Sequence, residues 1–437
     1  MHQTARRDDA ATAHDATSPQ RAAAVRADGR DPTPAPTRVS VAAHREKVRQ
    51  LLAPLRSEDR AERLPLLAAL GRGLAADVLA PLDLPPFANS QMDGFAIRSA
   101  DVPDGGAELR VVAPVPAGSA PPELAPGTAA PIMTGAMMPS GADAVVPIEQ
   151  AVPDSFPAPG EPATVRLPAA AAGHFVRDAG SDIRAGELAL AAGTFLGPGQ
   201  LGLLAALGFP EVPVHPALRV LLVTTGDEVV EPGSPLGDGQ IYDANGTLLE
   251  SSMRQAGLLV TRTGIATDRP EELAGLLRRS APAVDLIVTT GGVSKGAYEV
   301  VRQAMEEHDV EFTGVAMQPG GPQGIGSFDG VPVLGFPGNP VSCLVSFEMF
   351  LRPVLGELFG SPAPRPVVRA RLAEPLTSPE GKHQLRRGTL NPDGTVRLEG
   401  GAGSHLVHAL AHSNALVHVP EGTAVLPAGA EVEVWML

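Results

Sequence analysis

The segment Asp285-Leu-Ile-Val-Thr-Thr-Gly-Gly-Val-Ser-Lys-Gly296 constrains the fold of this chain more than any other. An apolar run ends abruptly in two threonines and two glycines, which predicts a buried parallel strand opening into a backbone-exposing loop. Leu221-Leu-Val-Thr-Thr-Gly-Asp-Glu228 repeats the design upstream. Two strands that each finish in Thr-Thr-Gly place two polar loops on one rim of one sheet. In open α/β sheets that carboxyl rim is where ligands bind.

The surrounding residues extend this pattern. Strands are expected at 218–225, 258–265 and 285–290, with others near 312–317 and 332–336. Helices are expected from about 244, capped by Asp243, from Pro270, from about 297, and from Asn339-Pro340. This alternation over 216–362 predicts a parallel sheet with helices on both faces. A chain of 437 residues needs more than one core. Residues 1–38 lack apolar periodicity and read as a disordered tail. Ser40 is a candidate N-cap for a helix carrying Val41, Val48, Leu51 and Leu52. Short apolar runs broken by Pro and Gly suggest a discontinuous linker domain (39–88 and 165–215) around a small β-rich lobe (89–164). Residues 363–437 read as a small β-domain. The expected fold is thus α/β multidomain: a doubly wound parallel-sheet domain, β-rich N-terminal lobes and a small C-terminal β-domain.

Composition excludes several functions. The net charge of −15 argues against broad binding to nucleic acid or an anionic membrane, and aromatics at 3% leave few platforms for stacking a nucleic-acid strand. A single cysteine, Cys343, rules out an internal disulfide and a thiolate cage; it reads as a core thiol. No segment is apolar enough to span a bilayer or act as a signal core, so the expected location is cytoplasmic.

Three loops carry candidate chemistry. Asp227 and Glu228 at a strand's carboxyl end can hold a hard cation or bond a ligand hydroxyl; Asp227 can equally cap the next element. Glycines in Gly291-Gly-Val-Ser-Lys-Gly296 let amide groups approach an anion and Ser294 adds a donor, although an ordinary strand-to-helix turn has the same look. Glu299 then falls in a first helical turn, as a metal ligand or a surface acid. Gly335-Phe-Pro-Gly-Asn-Pro-Val-Ser342 leads into a helix N-terminus, an anion seat or a rigid turn with a cap. Gln318-Pro-Gly-Gly-Pro-Gln-Gly324 should line the same rim without a cation. Asn89, Ser90 and Asp93, polar residues among apolar ones, suggest a ligand or a second subunit. His405, His408 and His412 have metal-compatible spacing without an accompanying acid. Arg386-Arg387 reads as a surface pair that can bind phosphate. No Ser-His-Asp order, Walker loop or dinucleotide fingerprint is legible.

Asn89-Ser-Gln-Met-Asp-Gly-Phe-Ala-Ile-Arg98, Met133-Thr-Gly-Ala136, Thr225-Gly-Asp-Glu228, Gly291-Gly-Val-Ser294 and Pro337-Gly-Asn-Pro-Val-Ser342 occur together and in order. In these motifs the chain resembles the molybdopterin molybdenumtransferase family, which includes the gephyrin E-domain, over residues 40–437. The resemblance implies a homodimer of four-part subunits, one part being a doubly wound molybdopterin-binding domain. It implies insertion of molybdenum from molybdate into adenylylated molybdopterin, with Mg2+-dependent cleavage of the phosphoanhydride and release of AMP. By motif, Asp93, Thr134, Asp227 and Glu299 belong to the catalytic set, with Asp227 and Glu299 as magnesium ligands. Gly226, Gly291, Gly292, Val293, Ser294, Pro337, Gly338, Asn339 and Ser342 line the nucleotide and pterin site, and Arg387 and Ser404 reach it from the C-terminal domain. Molybdopterin adenylyltransferase and recipient molybdoenzymes are the implied protein partners.

The chain departs from the family pattern where Gln318 and Gly321 stand in place of two lysines and Ser181 in place of an acid. Glu299 replaces an Asp. Arg386, Arg387 or Lys295 are candidates to restore the lost charge. A divergent paralogue that binds molybdopterin or nucleotide with weak or altered turnover is the competing expectation.

Overall fold

The computed structural model describes residues 38–158, 162–263, 269–293 and 300–437. Strands β1 (Arg219–Thr224), β2 (Leu259–Arg262), β3 (Leu286–Thr290), β4 (Asp309–Gly314), β5 (Pro322–Phe328) and β6 (Val331–Phe336) form one sheet. Their order is β2-β1-β3-β6-β5-β4. Alternation of side chains along each strand explains why both faces are covered. Val220, Leu222, Leu286, Val288, Leu334 and Phe336 pack on one face with Leu249 and Met253 of helix α1 (Ala244–Gln255) and with Val341, Cys343 and Leu344 of helix α3 (Pro340–Ser346). Leu221, Val223, Ile287 and Val333 pack on the other with Leu273 and Leu277 of helix α2 (Pro270–Ser280) and with Val300 and Val301. This is the doubly wound arrangement expected. Asp243 caps α1 through Gly246, as its sequence predicts.

The sheet is mixed rather than wholly parallel. β2, β1, β3 and β6 are parallel, whereas β5 runs against β6 and β4 against β5. β5 lies inside a Gly-rich segment that reads as loop. Its glycines answer close backbone approach: Gly324 faces Gly335 across the ladder, and a Cβ on Gly326 would collide with the Asp309 carbonyl oxygen. Because β4 ends and β5 begins at the carboxyl edge, residues 315–321 still sit on that rim.

The C-terminal residues form a small closed β-domain. Strand His383–Leu390 pairs with both Thr395–Leu398 and Ala415–Val419, and Val367–Leu372 with Glu431–Met436 completes the ring. Met317 and Gln318, from the α/β domain, add alongside His383 and Gln384. The N-terminal lobe is a five-stranded sheet. Strand Thr164–Leu167, expected to open the returning linker, instead edges this sheet against Ala107–Val111. Two short antiparallel pairs, Glu62–Pro65 with Glu211–Val214 and Val78–Leu79 with Leu188–Leu190, build the linker. Among the described residues no helix is long and apolar enough to cross a membrane.

Ser40 caps helix Val41–Leu52 by accepting from the Ala43 amide. The helix carries His44 onto Phe350, edge to face at 4.6 Å. Burial, aided by Lys47 and opposed by Glu311, pushes the imidazole from an ordinary 6.5 down to about 4. The unfolded chain therefore binds a proton that the folded chain refuses across this window, and stability falls as pH drops. Wild type is expected to lose about 3 kcal/mol more than a His44→Leu variant between pH 6.5 and pH 4. Urea unfolding at several pH values measures this; parallel pH profiles would show a solvated ring.

Candidate active site

The three glycine turns meet at the rim. Beyond β1, the Thr225 amide donates to the Thr290 carbonyl at 3.2 Å, and beyond β3 the Gly291 amide donates to the Phe336 carbonyl at 3.1 Å. Gly291 and Gly292 have φ of +93° and +62°, left-handed values that a side chain resists. Close contact adds to this: a Cβ on Gly291 would lie 2.9 Å from Thr225 Oγ1, and one on Gly338 would lie 3.4 Å from the Gly291 Cα. Thr290 Oγ1 (3.3 Å) and Cys343 Sγ (2.7 Å) both donate to the Pro337 carbonyl. Gly226, Gly291, Gly292, Pro337, Gly338 and Asn339 are thus gathered on one edge.

Other residues depart from their expected placement. Val293 is core, 4% exposed and packed against Gly335, so only its backbone belongs to the turn. Ser342 is buried on α3, its carbonyl accepting from Ser346. Asn339 does not cap α3 with its side chain; its Nδ2 donates to Ser404 Oγ at 2.8 Å. The Val341 amide donates to the Ser404 carbonyl at 3.0 Å. The C-terminal domain is therefore seated on the start of α3, which brings Ser404 to the rim. Asn245, which the sequence reading missed, donates from Nδ2 to the Gly338 carbonyl at 2.6 Å. Its only local signal is its place just after the Asp243 cap.

Arg386 and Arg387 are corrected from surface to interior, at 9% and 1% exposure. Their strand is paired on both sides within the closed domain and docks on the α/β domain, where Gln384 Nε2 donates to Gln318 Oε1 at 3.0 Å. Arg386 donates to the Gly400 carbonyl at 2.9 Å and Arg387 to the Gly401 carbonyl, in the loop that leads to Ser404. Nε of both, and Nη1 of Arg387, lack a hydrogen-bond partner among the described residues. Burial depresses both pKa values; Arg386 lowers that of Arg387 further, and Glu374 partly opposes the effect on Arg386. Buried guanidinium groups in this state favour an anionic ligand.

Asp227 is exposed on the first turn. Ser294, Lys295 and Glu299 lie outside the described residues. Among those described, no group of three His, Cys, Asp or Glu side chains is placed to hold a metal. Asp227 still fits the usual magnesium mode, in which one or two carboxylates and substrate phosphates complete the shell. His408 and His412 pack against each other at 4.6 Å, and with His405 they form no metal group.

Asp93 and Thr134 are brought together but not to the rim. Asp93 Oδ1 accepts from the Thr134 amide (2.6 Å) and hydroxyl (2.8 Å), and these bonds, the backbone one first, hold its pKa below the ordinary carboxylate value. No hydrogen bond or ion pair between described residues joins residues 86–177 to 219–359. Asn89 and Ser90 find partners within the same chain, in Phe87, Arg177 and Met92, so their burial requires no ligand. Cys343 is fully buried with its thiol pushed up to about 12, as suits a core residue.

A doubly wound sheet whose glycine turns share one edge with Ser404 of a docked β-domain defines a multidomain α/β protein with a candidate ligand rim where the domains meet. Known proteins resemble this chain across all of these domains. The family description MoeA N-terminal region (domain I and II) matches residues 39–208, probable molybdopterin binding domain matches 221–357, and MoeA C-terminal region (domain IV) matches 369–437. Molybdopterin molybdenumtransferase 2 of Mycobacterium tuberculosis is 45% identical, covering 86% of this chain and 94% of its own. Molybdopterin molybdenumtransferase of Synechococcus elongatus is 39% identical, covering 85% and 94%. The solved molybdopterin biosynthesis moea protein from Pyrococcus horikosii is 32% identical with a TM-score of 0.74, covering 92% and 99%. The chain belongs to the molybdopterin molybdenumtransferase family, enzymes that insert molybdenum during molybdenum cofactor biosynthesis.

Proposed function

We propose that this chain transfers molybdenum from molybdate into adenylylated molybdopterin, cleaving the phosphoanhydride and releasing AMP and molybdenum cofactor. The observation that carries this reading is the convergence of the 225–228, 290–293 and 336–341 turns with Ser404 on one rim. Amides of the glycine turns bind phosphate oxygens, and Arg387 with Ser404 orients the oxyanion. Asn245 fixes the second phosphate turn by tethering Gly338. Asp227, with Glu299, would hold magnesium. Bound there, the ion would neutralise charge on the phosphoanhydride. The Asp93–Thr134 pair lies off the rim of its own chain and is assigned to the site of the second subunit in a homodimer. Its hydrogen bonds keep Asp93 ionised for that role. The enzyme is assigned to the cytoplasm, with molybdopterin adenylyltransferase and recipient molybdoenzymes as partners.

The second reading, a paralogue that binds without normal turnover, draws on Gln318 and Gly321, which leave that part of the rim without a cation. Incubation of the full chain with adenylylated molybdopterin, molybdate and magnesium decides between them. The expected result is AMP release matched by reconstitution of an apo-molybdoenzyme. Tight substrate binding without AMP release would sink the transferase reading.

A further inference from the structure

Tyr242 is the one aromatic among the exposed large hydrophobic side chains of the described residues, at 44% exposure in a chain poor in aromatics. Beside it Ile241 is 56% exposed and Leu236 48%. The position is held from several sides. The Ile241 amide donates to the Glu228 carbonyl at 2.8 Å, and the Asp243 amide to the Val230 carbonyl at 2.9 Å. Ile241 and Tyr242 therefore lie alongside the residues that follow the Gly226 turn. Three residues onward, Asn245 bonds the Gly338 carbonyl, so at most about 10 Å of chain separates the tyrosine Cα from the residue that tethers the 336–341 turn. The Tyr242 hydroxyl donates to the Ser234 carbonyl at 3.0 Å, which fixes the ring instead of leaving it to sweep the surface. A fixed, half-exposed ring on a segment tied to both the 225–228 and the 336–341 turns is a preorganised stacking surface.

We propose that Tyr242 is the platform on which the adenine of the adenylylated substrate stacks. The proposal rests on the transferase reading and deepens it. Calorimetric titration of the full chain with AMP and with ribose 5-phosphate tests it, because the two probes differ by the base alone. Tyr242→Leu keeps apolar bulk and removes the aromatic face; AMP affinity is expected to fall about 10-fold with ribose 5-phosphate unchanged. Tyr242→Phe, which loses only the bond to Ser234, is expected to retain AMP binding within about 2-fold. AMP binding at the wild-type level in the Leu variant overturns the assignment. So does an equal loss for both probes, which would mean a displaced turn. Wild-type chain that binds neither AMP nor ribose 5-phosphate overturns the transferase reading itself, and this assignment with it.

Discussion

Exchanging Arg387 for methionine is expected to cut molybdenum insertion by about 100- to 1,000-fold while leaving the folded chain as stable as before, or more so. The two halves of this result have one cause. Arg387 is 1% exposed, its Nε and Nη1 lack partners, and Arg386 is a like charge nearby. Without ligand such a guanidinium destabilises its own fold, because it has given up water and gained only the Gly401 carbonyl. Methionine has similar length and no charge to desolvate. With an oxyanion bound, as proposed, the same guanidinium would make short charge-assisted bonds that strengthen as negative charge develops. AMP release and thermal unfolding measured on one preparation separate these effects. A variant that loses both activity and stability would mark Arg387 as structural. One that loses neither would place the oxyanion elsewhere.

The parts of this site legible in sequence were those specified locally. Thr-Thr-Gly after an apolar run announces a strand ending at a rim, and Asn339-Pro340 announces a helix start; both signals span a few residues, and the turns stand where they indicate. What stayed illegible depends on contacts between distant segments. Asn245 reaches Gly338, and nothing near Asn245 specifies that partner. The side chain of Asn339 has a choice between its own helix and Ser404, and the docked C-terminal domain decides it. Arg386 and Arg387 look like surface charge because adjacent strand residues point to opposite faces and one face is normally wet. In a closed domain docked on a second one, both faces are covered. β5 was hidden for a different reason: its glycines mimic a loop, whereas they are required by the neighbouring strands' backbones.

The same dependence on distant contacts makes Glu348 the position whose loss should destabilise the chain most. It follows α3 and is wholly buried. Its carboxylate takes a two-pronged contact from Arg365, at 2.8 and 3.0 Å, with Arg352 Nε at 3.7 Å. Arg352 in turn donates to the Ala363 carbonyl at 3.2 Å. The triad thus fastens the helical run after α3 to the segment that leads into the C-terminal domain, the element that carries Ser404 to the rim. Glu348→Gln preserves shape and removes the one negative charge, leaving two mostly buried guanidinium groups unpaired. The expected cost is about 3–5 kcal/mol, read as a fall in thermal midpoint on the order of 10 °C. Replacing Glu348 and Arg365 together by methionine should recover much of that loss, since the penalty comes from an uncompensated charge and the contact area is largely kept. A Glu348→Gln midpoint equal to wild type would show that water reaches the triad in solution. A double variant no better than the single one would show that the bond geometry, and not charge balance, holds the C-terminal domain in register with the rim.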